Sequence, residues 1–224
     1  ARAARPARIP DLRPGLRNLG VPPTYLPSAR RPSLDVLADA MATLPAPRPL
    51  PSRQGAVVAV VGFGTHLART VELVTGALAL DARDVLRRDG TAAASGRESV
   101  GRGEAADARL SRQIDRRRAR RGTAVVAIEA DPGLPLDGEL RRLLDHAAPD
   151  YVLAAVAAGC KRVDVEQWIA ELATVDALAL WDLSSTRTPA ELLGVCPIAF
   201  VEGEASSTLG WTLLLAGRAM VQLR

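Results

Sequence analysis

The chain of 224 residues has few of the residue types that mark metal, disulfide or cofactor chemistry. Two cysteines, Cys160 and Cys196, are too few for a disulfide framework or a cysteine-built zinc site. Two histidines, His66 and His146, exclude a histidine-rich metal centre. No apolar run approaches the ~18 residues that would cross a membrane. The free thiols and the lack of a leader pattern predict a cytoplasmic protein, and we expect no resident cofactor or metal.

Lysine is nearly absent, so arginine carries almost all of the positive charge. Lys161 is the single lysine, and the formal net charge is +4. Residues 1–55 hold nine arginines against three aspartates, a net +6, so the remainder is slightly acidic. A basic arm on a near-neutral body predicts an anionic partner, such as nucleic acid, a lipid surface or an acidic protein. A bias toward GC-rich codons would give the same composition.

Prolines divide the chain into an N-terminal arm and a body. Seven prolines between positions 6 and 32 exclude a continuous helix or a central strand, so we expect an extended arm that either lies on the body or remains mobile. Apolar residues at helical spacing predict a short amphipathic helix over 34–44, and four prolines between 45 and 51 predict a stiff spacer. The predicted units are a basic, Pro/Arg-rich arm with this helix and spacer over 1–54, and an α/β domain over 55–224.

Short apolar runs alternate with helical patterns along the body. Strands are predicted over 56–61, 124–129, 151–156, 177–181 and 197–201. Helices are predicted over 66–78, 136–147, 164–173 and 207–223, with a further helix beginning at Pro189. Apolar strands that are each followed by a helix predict a doubly wound, mainly parallel sheet with helices on both faces. Ligands of such sheets bind beyond the carboxyl ends of the strands.

The loop after the first strand has the context of a phosphate cradle, because it joins a buried strand to a helix. It contains Gly62 and Gly64. In the mononucleotide template G-x-x-x-x-G-K-[ST], the second glycine and the lysine fall on Leu67 and Ala68, which are followed by Arg69 and Thr70. By this template, the loop lacks the lysine that would neutralise the phosphates.

A dinucleotide fingerprint fits the same loop in part. Gly62 and Gly64 match the first two glycines of G-x-G-x-x-G, and the third position is Leu67. Asp81 lies 19 residues after Gly62, near the distance at which an acid would bind a ribose. An enzyme that uses a dinucleotide or an unusual nucleotide is therefore one hypothesis.

The order and spacing of several segments resemble the G domain of the signal-recognition-particle-type GTPases, with the flagellar-placement member FlhF nearest. The resemblance covers roughly residues 18–216. The segments are Leu19–Pro22, Gly55–Gly62, Ala124–Gly133, Val175–Ser184 and Cys196–Glu204. The resemblance implies a P-loop NTPase-like fold. It also implies a nucleotide face across which that family pairs its G domains, and hence a homodimer or another protein partner at this face.

The positions that the resemblance assigns to phosphate and magnesium depart from the family's motifs. Leu67 and Ala68 stand at the P-loop Gly and Lys. Asp131 stands within the Asp-Thr-Ala-Gly motif at its Thr, and only Gly133 keeps its place. The family's Asp-Thr-Tyr-Arg switch is replaced by the Gly-, Ala- and Ser-rich segment 89–103.

The positions assigned to the base depart as well. Asp182 stands at the Lys of the family's Thr-Lys-Leu-Asp motif, and Ser184 stands at the Asp that accepts two hydrogen bonds from guanine. Trp181 lies where a base would lie and could fill the vacated pocket. Gly203 belongs to the closing Gly-Glu. A serine offers one weaker partner than that Asp, so discrimination between bases would be lost.

Three hypotheses follow. The first is a non-catalytic, degenerate G domain that acts through protein contacts at its former nucleotide face, with no catalytic residue of its own. The second is the nucleotide enzyme that uses Gly62, Gly64 and Asp81. The third is an arginine-driven adaptor for nucleic acid or an anionic membrane, whose binding would depend on residues 1–55 and fall steeply with salt.

Overall fold

A seven-stranded sheet forms the centre of the computed structural model, which describes residues 11–28, 34–87, 100–136, 138–172 and 174–222. Its strands are β1 (Val57–Gly62), β2 (Val85–Arg87), β3 (Ala124–Glu129), β4 (Tyr151–Ala157), β5 (Ala177–Trp181), β6 (Ile198–Val201) and β7 (Glu204–Ala205). Their order in the sheet is β2-β3-β1-β4-β5-β6-β7. All neighbours are parallel except β6 and β7. The predicted parallel sheet is confirmed.

Helices cover both faces of this sheet, as predicted. They are α1 (Arg13–Asn18), α2 (Leu34–Ala42), α3 (Gly64–Ala77), α4 (Val100–Ala119), α5 (Gly138–Ala147), α6 (Arg162–Leu172) and α7 (Thr208–Gln222). Side chains of β1 alternate between the two faces. Val58 and Val60 pack in the cluster that contains the buried residues of α3, whereas Val57 and Val61 pack in the cluster of α5, α6 and α7. Because β1 is buried on both faces, its sequence is continuously apolar.

Two short strands were not predicted from the sequence. β2 has three residues and β7 has two, so neither is long enough to show a periodic apolar pattern. β7 is the second strand of a hairpin with β6 and closes one edge of the sheet.

The described part of the N-terminal arm lies on the body, as one of the two predicted placements has it, but Arg13–Asn18 form the helix α1, so the prediction of an extended backbone is wrong there. Pro14 lies in the first turn of this helix, where a missing backbone N–H is tolerated. Leu16 is fully buried, and a Cβ built on Gly15 would lie 3.0 Å from the Cβ of Ala219 in α7. The arm therefore contributes to the same apolar core as α7. The division into units 1–54 and 55–224 stays a prediction.

The helix predicted to begin at Pro189 is not formed. Residues 189–195 make turns whose amides bond three residues back, such as Leu193 to the Ala190 carbonyl and Val195 to the Leu192 carbonyl. Arg162 of α6 donates to the carbonyl of Leu193 at 3.0 Å, and the Ala190 amide donates to the Leu19 carbonyl. These tertiary bonds satisfy the Ala190 amide and the Leu193 carbonyl, and the left-handed Gly194, with φ 79°, interrupts the segment.

Two carboxylates at the amino edge of the sheet hold the beginnings of central strands. Asp150 Oδ2 accepts a hydrogen bond from the Val57 amide at 2.8 Å, at the start of β1. Asp176 Oδ2 accepts one from the Val152 amide at 2.8 Å, in β4. Both side chains are mostly buried.

The proline-rich spacer is attached to the same edge. Arg48 pairs with Asp176, and Arg53 pairs with Asp150. The hydroxyl of Tyr151 donates to the Arg48 carbonyl at 3.0 Å. Burial raises the pKa of Tyr151 to about 12, and the nearby Asp176 carboxylate adds to this shift. The spacer thus lies along the amino edge and leaves the carboxyl edge open.

Candidate functional site at the carboxyl edge of the sheet

The connection from β1 to α3 is one residue long. β1 ends at Gly62, Phe63 has an extended backbone, and Gly64 is already the first residue of α3. The mononucleotide template instead has four residues between its two glycines. Leu67 and Ala68 consequently lie in the helix, with the Leu67 side chain buried against the sheet and Ala68 half-buried.

Gly62 has a packing role at this edge. A Cβ at this position would lie 2.7 Å from the carbonyl oxygen and 2.8 Å from the Cβ of Ala155 in the adjacent strand β4. Its own carbonyl accepts the Ala130 amide at 2.8 Å, which fixes the exit of β3 beside that of β1. The close approach of two central strands therefore explains this glycine without a ligand.

Trp181, the last residue of β5, packs against α3 at the carboxyl edge of the sheet. Its side chain is 3% exposed, and its indole Nε1 donates to Thr70 Oγ1 at 2.8 Å. The Thr70 hydroxyl in turn donates to the His66 carbonyl at 2.7 Å. Arg69 covers the indole, with its guanidinium carbon 3.9 Å from the ring centroid. This distance is well within the range of a cation–π contact.

Charged side chains surround this stacked pair. His66 Nε2 lies 2.7 Å from Asp182 Oδ2. Arg69 lies 3.7 Å from Asp182 Oδ1 and 3.8 Å from Glu202 Oε2. Glu202 Oε1 accepts the Leu183 amide at 2.6 Å. The donors and acceptors of this cluster therefore pair largely with one another, although Arg69, Asp182 and Glu202 remain partly exposed.

Two residues of this cluster have left-handed backbones. Asp182 has φ 58° and ψ 37°, and Glu202 has φ 51°. Glu202 and Gly203, whose φ is 91°, form the two-residue turn between β6 and β7, where positive φ at both positions matches the twist of a hairpin. Aspartate tolerates this region better than most residues, whereas glutamate is unusual there. The hydrogen bond from Leu183 holds the Glu202 side chain in place.

The structure brings together five of the twelve positions that the sequence assigned to the nucleotide face. Arg69, Thr70, Trp181 and Asp182 are in contact, and a Cβ at Gly203 would lie 3.5 Å from the Trp181 ring. The remaining positions line the same edge without joining this cluster: Gly62, Gly64, Leu67, Ala68, Asp131, Gly133 and Ser184. The predicted switch replacement over 89–103 lies largely outside the described residues.

Asp131 and Gly133 form a local turn in the loop after β3. Asp131 Oδ1 accepts the Gly133 amide at 2.8 Å. Ser184 is exposed in a single turn of 3-10 helix after β5. Aspartate side chains commonly accept such a hydrogen bond from the backbone two residues on, so the contact of Asp131 is explained by its own turn.

Asp81 does not lie near Gly62, so the dinucleotide interpretation is wrong. Asp81 caps a single 3-10 turn that leads into β2, where its backbone N–H donates to Asp84. It therefore precedes its strand, at the amino edge of the sheet, whereas Gly62 ends a strand at the carboxyl edge. Here β1 lies between β3 and β4, whereas in the dinucleotide fold the first strand lies beside the second strand of the chain.

His66 and Glu202 belong to the cluster but were not among the predicted site residues. Each contacts residues distant in sequence, and the only local signal was that both lie shortly after the end of a strand. A histidine paired with a carboxylate also occurs in hydrolase triads. Among the described residues, no Ser, Thr or Cys side chain bonds to the His66 ring, so the pair lacks a nucleophile.

Several arginines of the basic segments are engaged within the chain. In the arm, Arg48 and Arg53 form the ion pairs of the amino edge, and Arg13 donates to the Ser28 carbonyl. In α4, Arg117 pairs with Asp84, and Arg118 donates to carbonyls at the end of α5. Within the described parts of the chain, no helix is both long and apolar enough to cross a membrane. An anionic partner for the arm stays a prediction.

The packing role of Gly62 can be tested against Gly76, a glycine near the far end of α3. We expect Gly62→Ala to lower the free energy of unfolding by about 1–3 kcal/mol, because the new methyl group overlaps backbone atoms of β4. Gly76→Ala in α3 is the control; it meets open space and should raise stability by about 0.5–1 kcal/mol. Urea unfolding of both variants measures these changes in the free energy of unfolding. Equal stability of Gly62→Ala and the unchanged protein would refute the packing role.

Comparison with known proteins supports the fold. No protein-family model matches this sequence, and no curated protein matches it. Among solved structures, FtsY from Mycoplasma mycoides superposes with a TM-score of 0.55 and 12% identity, over 93% of this chain and 82% of its own. FtsY from Thermotoga maritima gives 0.51 and 16%, over 81% and 76%. The signal recognition particle receptor FtsY from Elizabethkingia anophelis, solved with GDP, gives 0.53 and 15%, over 81% and 72%. The resemblance predicted from the sequence is confirmed at the level of fold, which this chain shares with the FtsY structures.

Proposed function

We propose that this protein is a non-catalytic pseudo-GTPase of the signal-recognition-particle type, which acts as a protein-interaction scaffold through the carboxyl edge of its sheet. The observation that supports this most is the one-residue connection at Phe63. A phosphate loop binds its ligand with successive backbone N–H groups that curl around the anion. Only the extended Phe63 and the left-handed Gly64, with φ 54°, separate the end of β1 from regular helix, and these are too few residues for such a curl.

The arrangement around Trp181 supports the same proposal. A P-loop threonine binds magnesium through its hydroxyl, but the Thr70 hydroxyl already accepts from Trp181 and donates to His66. Arg69 stacks on the indole in the region that the resemblance assigns to a base. A nucleotide would have to displace this pair and break the contacts of Arg69 with Asp182 and Glu202.

Exposed apolar side chains support a protein partner at this edge. Phe63, Leu134 and Val163 are each more than half exposed. Phe63 and Leu134 lie in the connections after β1 and β3, and Val163 lies at the start of α6 after β4; because these strands are neighbours in the sheet, the three segments lie side by side. Apolar side chains beside a rim of charged groups are typical of surfaces that bind proteins. Here the rim contains Arg69 and Asp182.

The absence of nucleotide binding is the first expected result. A nucleotide present at a hundred times its Kd would stabilise the protein by about 2.7 kcal/mol. That corresponds to a rise in Tm of roughly 5–10 °C for a domain of this size. We expect no such rise with GTP, GDP or ATP in the presence of magnesium, whereas an FtsY G domain in the same experiment serves as the positive control. A rise specific to one nucleotide would contradict the proposal.

Site-specific photo-crosslinking tests the protein contact separately. A photoreactive amino acid at Phe63 should capture a defined protein in extracts of the source organism, and Leu134→Glu in the same chain should abolish that capture. The control position is Gln54, which is exposed at the opposite edge of the sheet. Capture that is equal from both positions, or that persists in Leu134→Glu, would exclude this face as the docking surface.

A further inference from the structure

Helix α7 has an outer face without a charged residue. The exposed residues between its ends are Leu209, Gly210, Leu213, Gly217, Met220 and Val221, which we call the α7 stripe. The single charged residue of α7 is Arg218, and it is bound to the body, donating to the Leu183 carbonyl at 2.8 Å and the Thr186 carbonyl at 3.3 Å. A helix on a protein surface ordinarily carries charged and polar residues on its outer face.

Within the described parts of the chain, nothing near the glycine at the middle of the stripe requires a glycine there. A Cβ at Gly217 would meet no atom within 4 Å. Its φ is not in the left-handed region, and glycine disfavours a helix relative to alanine. A glycine at such a position is explained when another backbone or side chain approaches closely from outside.

The order of large and small residues makes the stripe complementary to a reversed copy of itself. In an antiparallel pair of α7 helices centred on residue 215, positions equally far from the centre stand opposite one another. Leu213 then faces Gly217 of the second copy, and Met220 faces Gly210 of the second copy. Leu209 faces Val221 at both ends. Each large side chain therefore meets a glycine or another apolar residue, as a two-fold interface requires.

The area of the stripe is near what a specific interface needs. The exposed fractions are 65% for Leu209, 57% for Leu213, 53% for Met220 and 72% for Val221. These side chains present on the order of 400 Å² of apolar surface, a size at which patches on single proteins mark interaction sites. Two stripes, together with the polar residues at the helix ends, Thr208 and Gln222, bury about 1,000 Å², the lower limit for a specific interface. The expected dimer is therefore weak and depends on concentration.

We propose that the α7 stripe is a two-fold interface with a second copy of this chain, in which the two α7 helices pack antiparallel. This self-association is independent of the proposed docking of a protein at the carboxyl edge, because Phe63, Leu134 and Val163 do not take part in it.

Sedimentation of the full chain measures the association. Between about 5 and 500 µM, the mass should rise from 23.6 kDa toward twice that value by mass action. Leu213→Glu should weaken the association at least about tenfold, since it places a charge opposite Gly217 of the second copy. Val163→Glu is the matched control: it adds the same charge at an equally exposed residue of α6 and should dimerise normally. Loss of association only in Val163→Glu would move the interface to the carboxyl edge and overturn the proposal.

A second variant keeps the test independent of folding. Gly217→Leu extends into open space in one copy, so the monomer should fold with unchanged or greater stability. It removes the hollow for Leu213 and should also weaken the dimer. A dimer of Gly217→Leu as tight as that of the unchanged chain would contradict the packing.

Disulfide trapping determines the direction of the pair. Leu213→Cys mixed with Gly217→Cys, both on a Cys160→Ser background, should form crosslinked dimers faster than either variant alone. Faster crosslinking of Leu213→Cys with itself would indicate a parallel pair and refute the arrangement. A chain that stays monomeric at every concentration would also refute it. If such a monomer sediments with phosphatidylglycerol vesicles and Leu213→Glu does not, the stripe binds a lipid surface instead.

Discussion

The contact between Trp181 and α3 determines what the carboxyl edge of this sheet can do. The indole N–H reaches the Thr70 hydroxyl, and the guanidinium of Arg69 lies on the ring. One strand end and one helix are thereby joined where nucleotide-binding proteins of this architecture keep an opening. Arg69 also lies 3.7 Å from the Asp182 carboxylate and 3.8 Å from that of Glu202, and so is a partner of both. The tight exit of β1 at Phe63 gives α3 the position that this contact requires.

The two edges of the sheet differ in physical character. At the amino edge, Asp150 and Asp176 bind backbone amides and the arginines of the spacer, so the charges there are used to fix the fold. At the carboxyl edge, charged groups are partly exposed beside Phe63 and other apolar side chains. Ion pairs at such exposure contribute little to stability. Exposed charges contribute more to the specificity of protein association than to stability. We interpret the charges of this edge in that way.

Much of the fold could be predicted from the sequence because β1, β3, β4 and β5 are buried on both faces and are therefore continuously apolar. β2 and β7 could not, since strands of three and two residues carry no periodic signal. Where a helix was expected from Pro189, the segment instead forms turns interrupted by the left-handed Gly194, and Arg162 and Leu19 bind its backbone groups. Such tertiary contacts cannot be predicted from local helix propensity.

The candidate site was predicted in its location but not in its contacts. Loops after parallel strands meet at one edge, so the edge followed from the strand pattern alone. Thr70 and Trp181 are 111 residues apart, and the sequence around either residue does not predict their hydrogen bond. The involvement of His66 and Glu202 depends likewise on geometry, here on the left-handed backbones of Asp182 and Glu202. Asp81 was misplaced because sequence distance does not distinguish the two ends of a strand.

The most direct test of this account is a crystal structure determined from crystals grown with millimolar GDP and magnesium. The account predicts Arg69 stacked on Trp181, the indole bonded to Thr70, and no nucleotide at the carboxyl edge. Phosphates bound against residues 62–66, with Arg69 displaced from the indole, would contradict it.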